Sequence, residues 1–220
     1  AVIFGITLST LHQSGLGALY LMAKDKIHPL WYSEFIPVMF FVSSIFAGLS
    51  MVIFEGSISH RVFSDKISEK DYHSQNGILI GLSKICAGAM FAYFFLQLLV
   101  FIHGQHWDLL NTPVGYWYIL EMVGFVLFPM ILFFISYRKN NILLIRIAAI
   151  LTMLGVIINR LNVTVIGFRW DAAIRYVPTW MEIAVTLAVI FTEIWIFRWV
   201  VNRLPVLQDP PSWVKEEIKN

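Results

Sequence analysis

Leu8-Ser9-Thr10-Leu11-His12-Gln13-Ser14-Gly15-Leu16-Gly17-Ala18-Leu19-Tyr20 lies inside an apolar segment that runs from Ala1 to Ala23. An apolar run of that length reads as a membrane-spanning helix. An ionisable side chain is expensive in hydrocarbon, so His12 is a functional candidate from its position alone. His12, Gln13 and Ser14 are polar in succession near mid-span. They lie about 100° apart around a helix, so they cannot all share one face, and at least one is expected to meet another helix. Gly15 and Ala18 are small enough to let a neighbouring helix approach beside His12. Two readings stay open: a polar clasp between helices, and a part in proton or quinone chemistry.

The rest of the chain has the same character. Of 220 residues, 58% are hydrophobic and 14% are charged, and the mean hydropathy is +0.72. That is the composition of an all-α, polytopic transmembrane helix bundle. A net charge of +2, without a long basic run, gives no footing for nucleic acid. The one cysteine, Cys86, cannot form an internal disulfide or hold an iron–sulfur cluster, and it reads as a small buried hydrophobe. Ala1 starts inside a hydrophobic segment with no basic leader or cleavage pattern. The expectation is therefore the C-terminal part of a longer chain.

Hydropathy divides the chain into about six spans: Ala1–Ala23, Phe35–Ile58, Gly77–Ile102, Val114–Ser136, Ile142–Ile166 and Trp180–Leu204. Residues 1–204 form the expected helical bundle and 205–220 a polar tail after Pro205, Pro210 and Pro211. Trp31 and Tyr32, between the first two spans, suit an interfacial aromatic belt. The loop from His60 to Asn76 is the most charged, and Tyr137-Arg138-Lys139-Asn140-Asn141 is a tight basic turn. On the side of the C-terminus, loops and tail carry Arg61, Lys66, Lys70, Arg138, Lys139, Arg203, Lys215 and Lys219. The opposite loops carry Lys24, Lys26, Arg169 and Arg175. This imbalance predicts a cytoplasmic C-terminus.

The charges inside the spans fall into two sets when position is converted to depth at about 1.5 Å per residue. Glu55, Lys84, Arg146 and Glu193 fall in the cytoplasmic half; Glu121, Arg160 and Glu182 fall in the periplasmic half. A charge buried alone costs several kcal/mol, so Lys84, Arg146, Arg160 and Glu182 are expected to pair with opposite charges across helices or line water. Each also has a plainer reading. Lys84 and Arg146 can snorkel to the interface, Glu182 can complement the dipole of its own helix, and Glu55 can sit at headgroup level. Glu121 and Glu193 have apolar neighbours on both sides. His12, Gln13, Ser14, Glu55, Glu121 and Glu193 are the expected proton path, because relays need groups that exchange protons and side chains that hold water.

Some chemistry is not expected. A bis-histidine haem needs two facing intramembrane histidines, and only His12 is deep, so no haem is expected in this chain. Gly15-Leu16-Gly17 follows no strand and is not a dinucleotide fingerprint.

Thr10-Leu11-His12-Gln13-Ser14-Gly15-Leu16-Gly17, followed by His28-Pro29-Leu30-Trp31, resembles the Hyb-type integral membrane subunit of respiratory nickel–iron hydrogenases, within the polysulfide-reductase (NrfD-like) membrane family. The resemblance continues through Ile53-Phe54-Glu55-Gly56-Ser57, Glu121 with Phe128-Pro129, Arg160-Leu161, and Pro178-Thr179-Trp180 with Glu182 and Glu193. It implies a membrane anchor that passes electrons between a hydrogenase and a quinone, with menaquinone as the expected type. The implied partners are a periplasmic iron–sulfur subunit and the hydrogenase subunits, at a bacterial inner membrane. It also implies that the chain has neither haem nor an iron–sulfur cluster, and that the quinone pocket lies mostly in an N-terminal bundle outside this sequence. A secondary transporter or ion channel using buried acid–base pairs is the competing reading. It lacks the internal repeats and broken helices that transporters often show.

Overall fold

A computed structural model describes residues 2–62, 69–168, 170–171 and 178–203. The described residues form seven α-helices: α1 Val2–Leu21, α2 Ile36–Val62, α3 Glu69–Gly104, α4 Pro113–Leu120, α5 Phe128–Lys139, α6 Ile142–Leu161 and α7 Trp180–Arg203. α4 and α5 join through a π-helical stretch, Glu121–Leu127, into one rod, and a second π-helical stretch, Asn162–Ile166, ends α6. Five stretches are long and apolar enough to cross a membrane: Ile36–Ser59, Asn76–Gly104, Pro113–Lys139, Ile142–Ile166 and Trp180–Arg203. α1, 20 residues long, occupies the ground of the first expected span. The tail at 205–220 and the loop residues Lys66, Arg169 and Arg175 lie outside the described residues.

The expected loop from His60 to Asn76 is shorter than its charge suggested, because α2 continues to Val62 and α3 begins at Glu69. Charge ends a span but does not end a helix. No proline or glycine separates Gly56 from Gly77, so nothing breaks the helices where they leave the apolar layer. The basic turn is as short as expected. α5 stops at Lys139, Asn140 takes the left-handed conformation with φ 50°, and the side chain of Asn141 caps α6 by accepting from Leu144 N at 3.2 Å.

α2, α3, the α4–α5 rod and α6 pack as a four-helix square, with α1 against the outside of α2. Phe133, Ile145, Met90, Cys86 and Ile53 fill its centre. Cys86 lies 3.7 Å from Ser50 Oγ, in keeping with a packing role. The glycine that admits α2 to α1 is Gly17, not Gly15. A methyl group added at Gly17 would meet Pro37 Cα at 2.9 Å, whereas one at Gly15 would meet nothing. Over Trp180–Trp199 every side chain of α7 is exposed.

One end of the square is stitched by its loops. His28 N donates to Gly167 O at 2.8 Å, and Ile27 pairs with Phe168, so the segment before α2 is tied to the end of α6. Pro129 explains the π-helical stretch before it. Proline has no N–H, and in a regular helix it would leave the carbonyl four residues back, Phe125, without its partner. Gly155 of α6 packs on that carbonyl: a Cβ there would lie 2.8 Å from Phe125 O. The rod therefore changes its winding where α6 comes closest, and Glu121 opens the altered stretch.

Candidate functional site

The stitched end covers the most buried acid among the described residues. Glu121 is 2% exposed and begins the π-helical stretch of the α4–α5 rod. Three N–H donors converge on its carboxyl. Asn159 Nδ2 donates to Oε1 at 2.6 Å; Trp31 Nε1, at 2.8 Å, and Asn162 Nδ2, at 2.5 Å, donate to Oε2. Every recorded partner is a donor. Both carboxyl oxygens therefore act as acceptors in this network.

The network runs outward in two directions. Asn162 Oδ1 accepts from Trp117 Nε1 at 3.0 Å. Asn159 Oδ1 accepts from Arg160 Nη1 at 3.1 Å, and Arg160 Nη2 donates to Ser43 Oγ at 2.7 Å. The guanidinium lies over Phe40, with Cζ 3.5 Å from the ring centroid. Acid and base are thus joined through one amide side chain rather than by direct contact. Asn159 and Asn162 are three residues apart on α6, which places both on the face towards Glu121.

Aromatic side chains surround this core. Trp31 stands edge-on to Tyr118, with ring centroids 5.8 Å apart, and Tyr118 OH accepts from Gln97 Nε2 at 2.9 Å. His28 packs against Trp31 and Trp170, and its Nδ1 accepts from Leu30 N at 3.2 Å. Burial, and then the positive charge of His106, pushes the His28 imidazole below its usual range. The neutral ring so favoured can accept at Nδ1. A cavity of about 30 Å³, lined by Trp31, Ser33, Tyr93, Gln97 and Asn159 among others, reaches the network from the loop side. It has room for one or two water molecules.

The other candidates from sequence lie elsewhere. His12 is exposed on α1, while Gln13 and Ser14 are half-buried. Glu55 is exposed on α2. Gly17 touches Ile36, Pro37 and Phe40 and the two helices run antiparallel, so His12 stands level with about Ser43. Glu55 is then about 18 Å further along α2. Lys84 is exposed, with its ammonium 5.7 Å from the Tyr137 ring centroid. Arg146 is half-buried, and its buried Nε has no hydrogen-bond partner. Glu193 is exposed on α7. Glu182 Oε2 accepts from Thr179 N at 3.0 Å, which closes the start of α7. Of the two depth-matched sets, only Glu121 and Arg160 come together.

Sequence reasoning missed the partners. Trp31, read as a belt residue, is 5% exposed and points its indole N–H at the acid. Trp117 and Ser43 gave no signal at all. The one usable clue was Asn159-Arg160-Leu161-Asn162, three polar residues within one span.

Comparisons with known proteins bear on the whole chain. It is 42% identical over 213 residues to a protein of Nitratidesulfovibrio vulgaris (strain Hildenborough), covering 96% of this chain and 55% of that one. It is 25% identical over 215 residues to the probable Ni/Fe-hydrogenase 2 b-type cytochrome subunit of Escherichia coli K12, covering 96% and 52%. The chain therefore spans about half the length of these relatives. No solved structure matches it. The family model described as "Polysulphide reductase, NrfD" matches residues 1–169, and with the apolar helices in place this chain belongs to the NrfD family of integral membrane proteins.

Proposed function

We propose that this chain is part of the membrane subunit of a quinone-linked respiratory oxidoreductase, of the nickel–iron hydrogenase type, and that polar side chains within its spans serve proton movement. The observation that carries the reading is the Glu121 network. An acid, a base and two amides are held deep in an apolar bundle, where burying them is costly and an apolar core would serve packing equally well. The hydrogenase assignment draws on the distant Escherichia coli relative. A periplasmic iron–sulfur subunit and the hydrogenase subunits are the proposed partners. The proposed setting is a bacterial inner membrane with the C-terminus in the cytoplasm.

Menaquinone is the proposed electron carrier, but the described residues offer it no pocket at this site. The cavity beside Glu121, at about 30 Å³, is of water size. These residues therefore fit water rather than a quinone. What they can do is hold and move protons. The Glu121 network and its cavity would serve the loop end, while His12, with Gln13 and Ser14 to hold water, would serve mid-depth and Glu55 the opposite end. The distance of about 18 Å between His12 and Glu55 requires a file of waters or further groups between them. Glu193, exposed on α7, is the remaining proposed proton group.

The test uses the full-length protein in its native complex. His12→Ala and Glu55→Gln are expected to lower quinone-linked hydrogen turnover, or its dependence on membrane potential, at least tenfold, as for loss of a proton-transfer group. Hydrogenase activity with a soluble dye should survive. Normal quinone-linked turnover and normal proton movement in sealed vesicles for both variants would overturn the reading.

A further inference from the structure

The outer surface between α3 and α5 carries a groove of about 400 Å³. Its α3 wall is the row Lys84, Gly88 and Phe91, and its α5 wall is Ile131, Phe134 and Tyr137. The two rows run antiparallel, so the groove follows the helix axes. From Lys84 to Phe91 it is about 10 Å long. It is floored at Gly88, where an added Cβ would meet no atom within 4 Å.

The ends of the groove differ chemically. At one end the Lys84 ammonium stands 5.7 Å from the Tyr137 ring centroid, and the Arg138 guanidinium 4.8 Å from that of Phe134. No carboxylate lines the groove. Tyr137 is two residues before the end of α5, which sets both cations near the edge of the apolar layer. The helical Cβ direction points the Lys84 stem towards the start of α3, the same edge. Away from that end the walls are apolar, and Phe91, Ile131 and Phe134 are exposed.

We propose that this groove binds one anionic phospholipid, with its phosphate held by Lys84 and Arg138 and one acyl chain lying along Gly88 towards Phe91. The polarity is complementary from end to end. Two cations without an acid meet a negative headgroup, and an apolar gully runs on towards the bilayer interior. A neutral quinone would leave those cations without a counter-charge, and the ammonium of a zwitterionic headgroup would oppose them beside its own phosphate. The proposal does not depend on the proton-transfer reading above.

The experiment is native mass spectrometry of the delipidated full-length chain with phosphatidylglycerol or phosphatidylcholine of the same acyl chains. Phosphatidylglycerol should bind in preference. Lys84→Gln and Arg138→Gln should each weaken it on the order of fivefold, and the double variant should bind both lipids alike. Gly88→Leu should reduce binding of both lipids, because the new side chain fills the groove from a position where its Cβ meets no atom within 4 Å. Its melting temperature in lipid-free detergent should stay unchanged. Equal binding of the two lipids to the unaltered chain would overturn the proposal. So would a preference that survives the double variant, or phosphatidylglycerol binding that survives Gly88→Leu in a folded protein. If Gly88→Leu fails to fold, the two cation variants still decide the outcome.

Discussion

The two ends of the bundle carry similar numbers of charged side chains and treat them in opposite ways. At the loop end, Glu121 and Arg160 are drawn into one hydrogen-bonded network with Trp31, Asn159, Asn162 and Ser43. At the other end, Glu55, Lys84 and Glu193 sit on exposed faces, and Arg146 keeps a buried Nε without a hydrogen bond. The difference teaches that depth in a span does not decide how a charge is satisfied. Glu121 is enclosed by the loop before α2 and by α6, which together bring three N–H groups. Glu55 is exposed on α2, and Lys84 stands exposed beside the Tyr137 ring in a groove that no carboxylate lines. Burial brings amide and indole partners, not necessarily an ion pair.

The sharpest way to break that contrast is to delete one acid at each end. Glu121→Ala strands three buried donors and is expected to destabilise the protein by about 3 kcal/mol or more. Glu55→Ala removes an exposed side chain, with an expected change within about 0.5 kcal/mol. Thermal unfolding of both variants in one detergent compares them directly. Equal losses would show that Glu55 is as enclosed as Glu121.

A smaller change sharpens the account of the network itself. Trp31→Phe keeps most of the ring but removes the indole N–H from Glu121 Oε2. The expected loss is about 1.5 kcal/mol, that of a buried hydrogen bond. A loss below about 0.3 kcal/mol would assign Trp31 to packing alone, on the scale of a neutral surface change.

The smallest expected effect concerns His28, at the rim of the same end. Its imidazole is held below the ordinary value of 6.5 by burial and then by His106. The unfolded chain therefore takes up a proton at a higher pH than the folded one. The stability linked to the neutral ring is present above pH 6.5 and is lost as the pH falls through the lower folded value. Melting temperatures between pH 7.5 and 5 should fall less steeply in His28→Gln. An unchanged slope would place the titration elsewhere.

Much of the architecture was legible because it depends on local composition. The spans follow from unbroken apolar length and the α5–α6 turn from Asn140-Asn141, whereas the rod's irregular winding before Pro129 was not read from the sequence. Helix ends were less legible at Val62 and Glu69, since leaving the apolar layer does not stop a helix that meets no breaker. Gly15 and Gly17 look alike in sequence, and only the approach of Pro37 distinguishes them.

The sequence by itself determined that this chain is a bundle of membrane-spanning helices with costly polar groups inside. Hydrocarbon accepts only apolar faces and satisfied backbones, so composition and length are enough. Tertiary structure alone decided which polar groups meet. The partners of Glu121 lie 38, 41 and 90 residues away along the chain, and their distances of 2.5–2.8 Å follow from how the square packs and how the loop before α2 is tied down. A depth argument can say that two charges lie at one level. Which of them share a wall depends on helix rotation and on the neighbours that packing supplies.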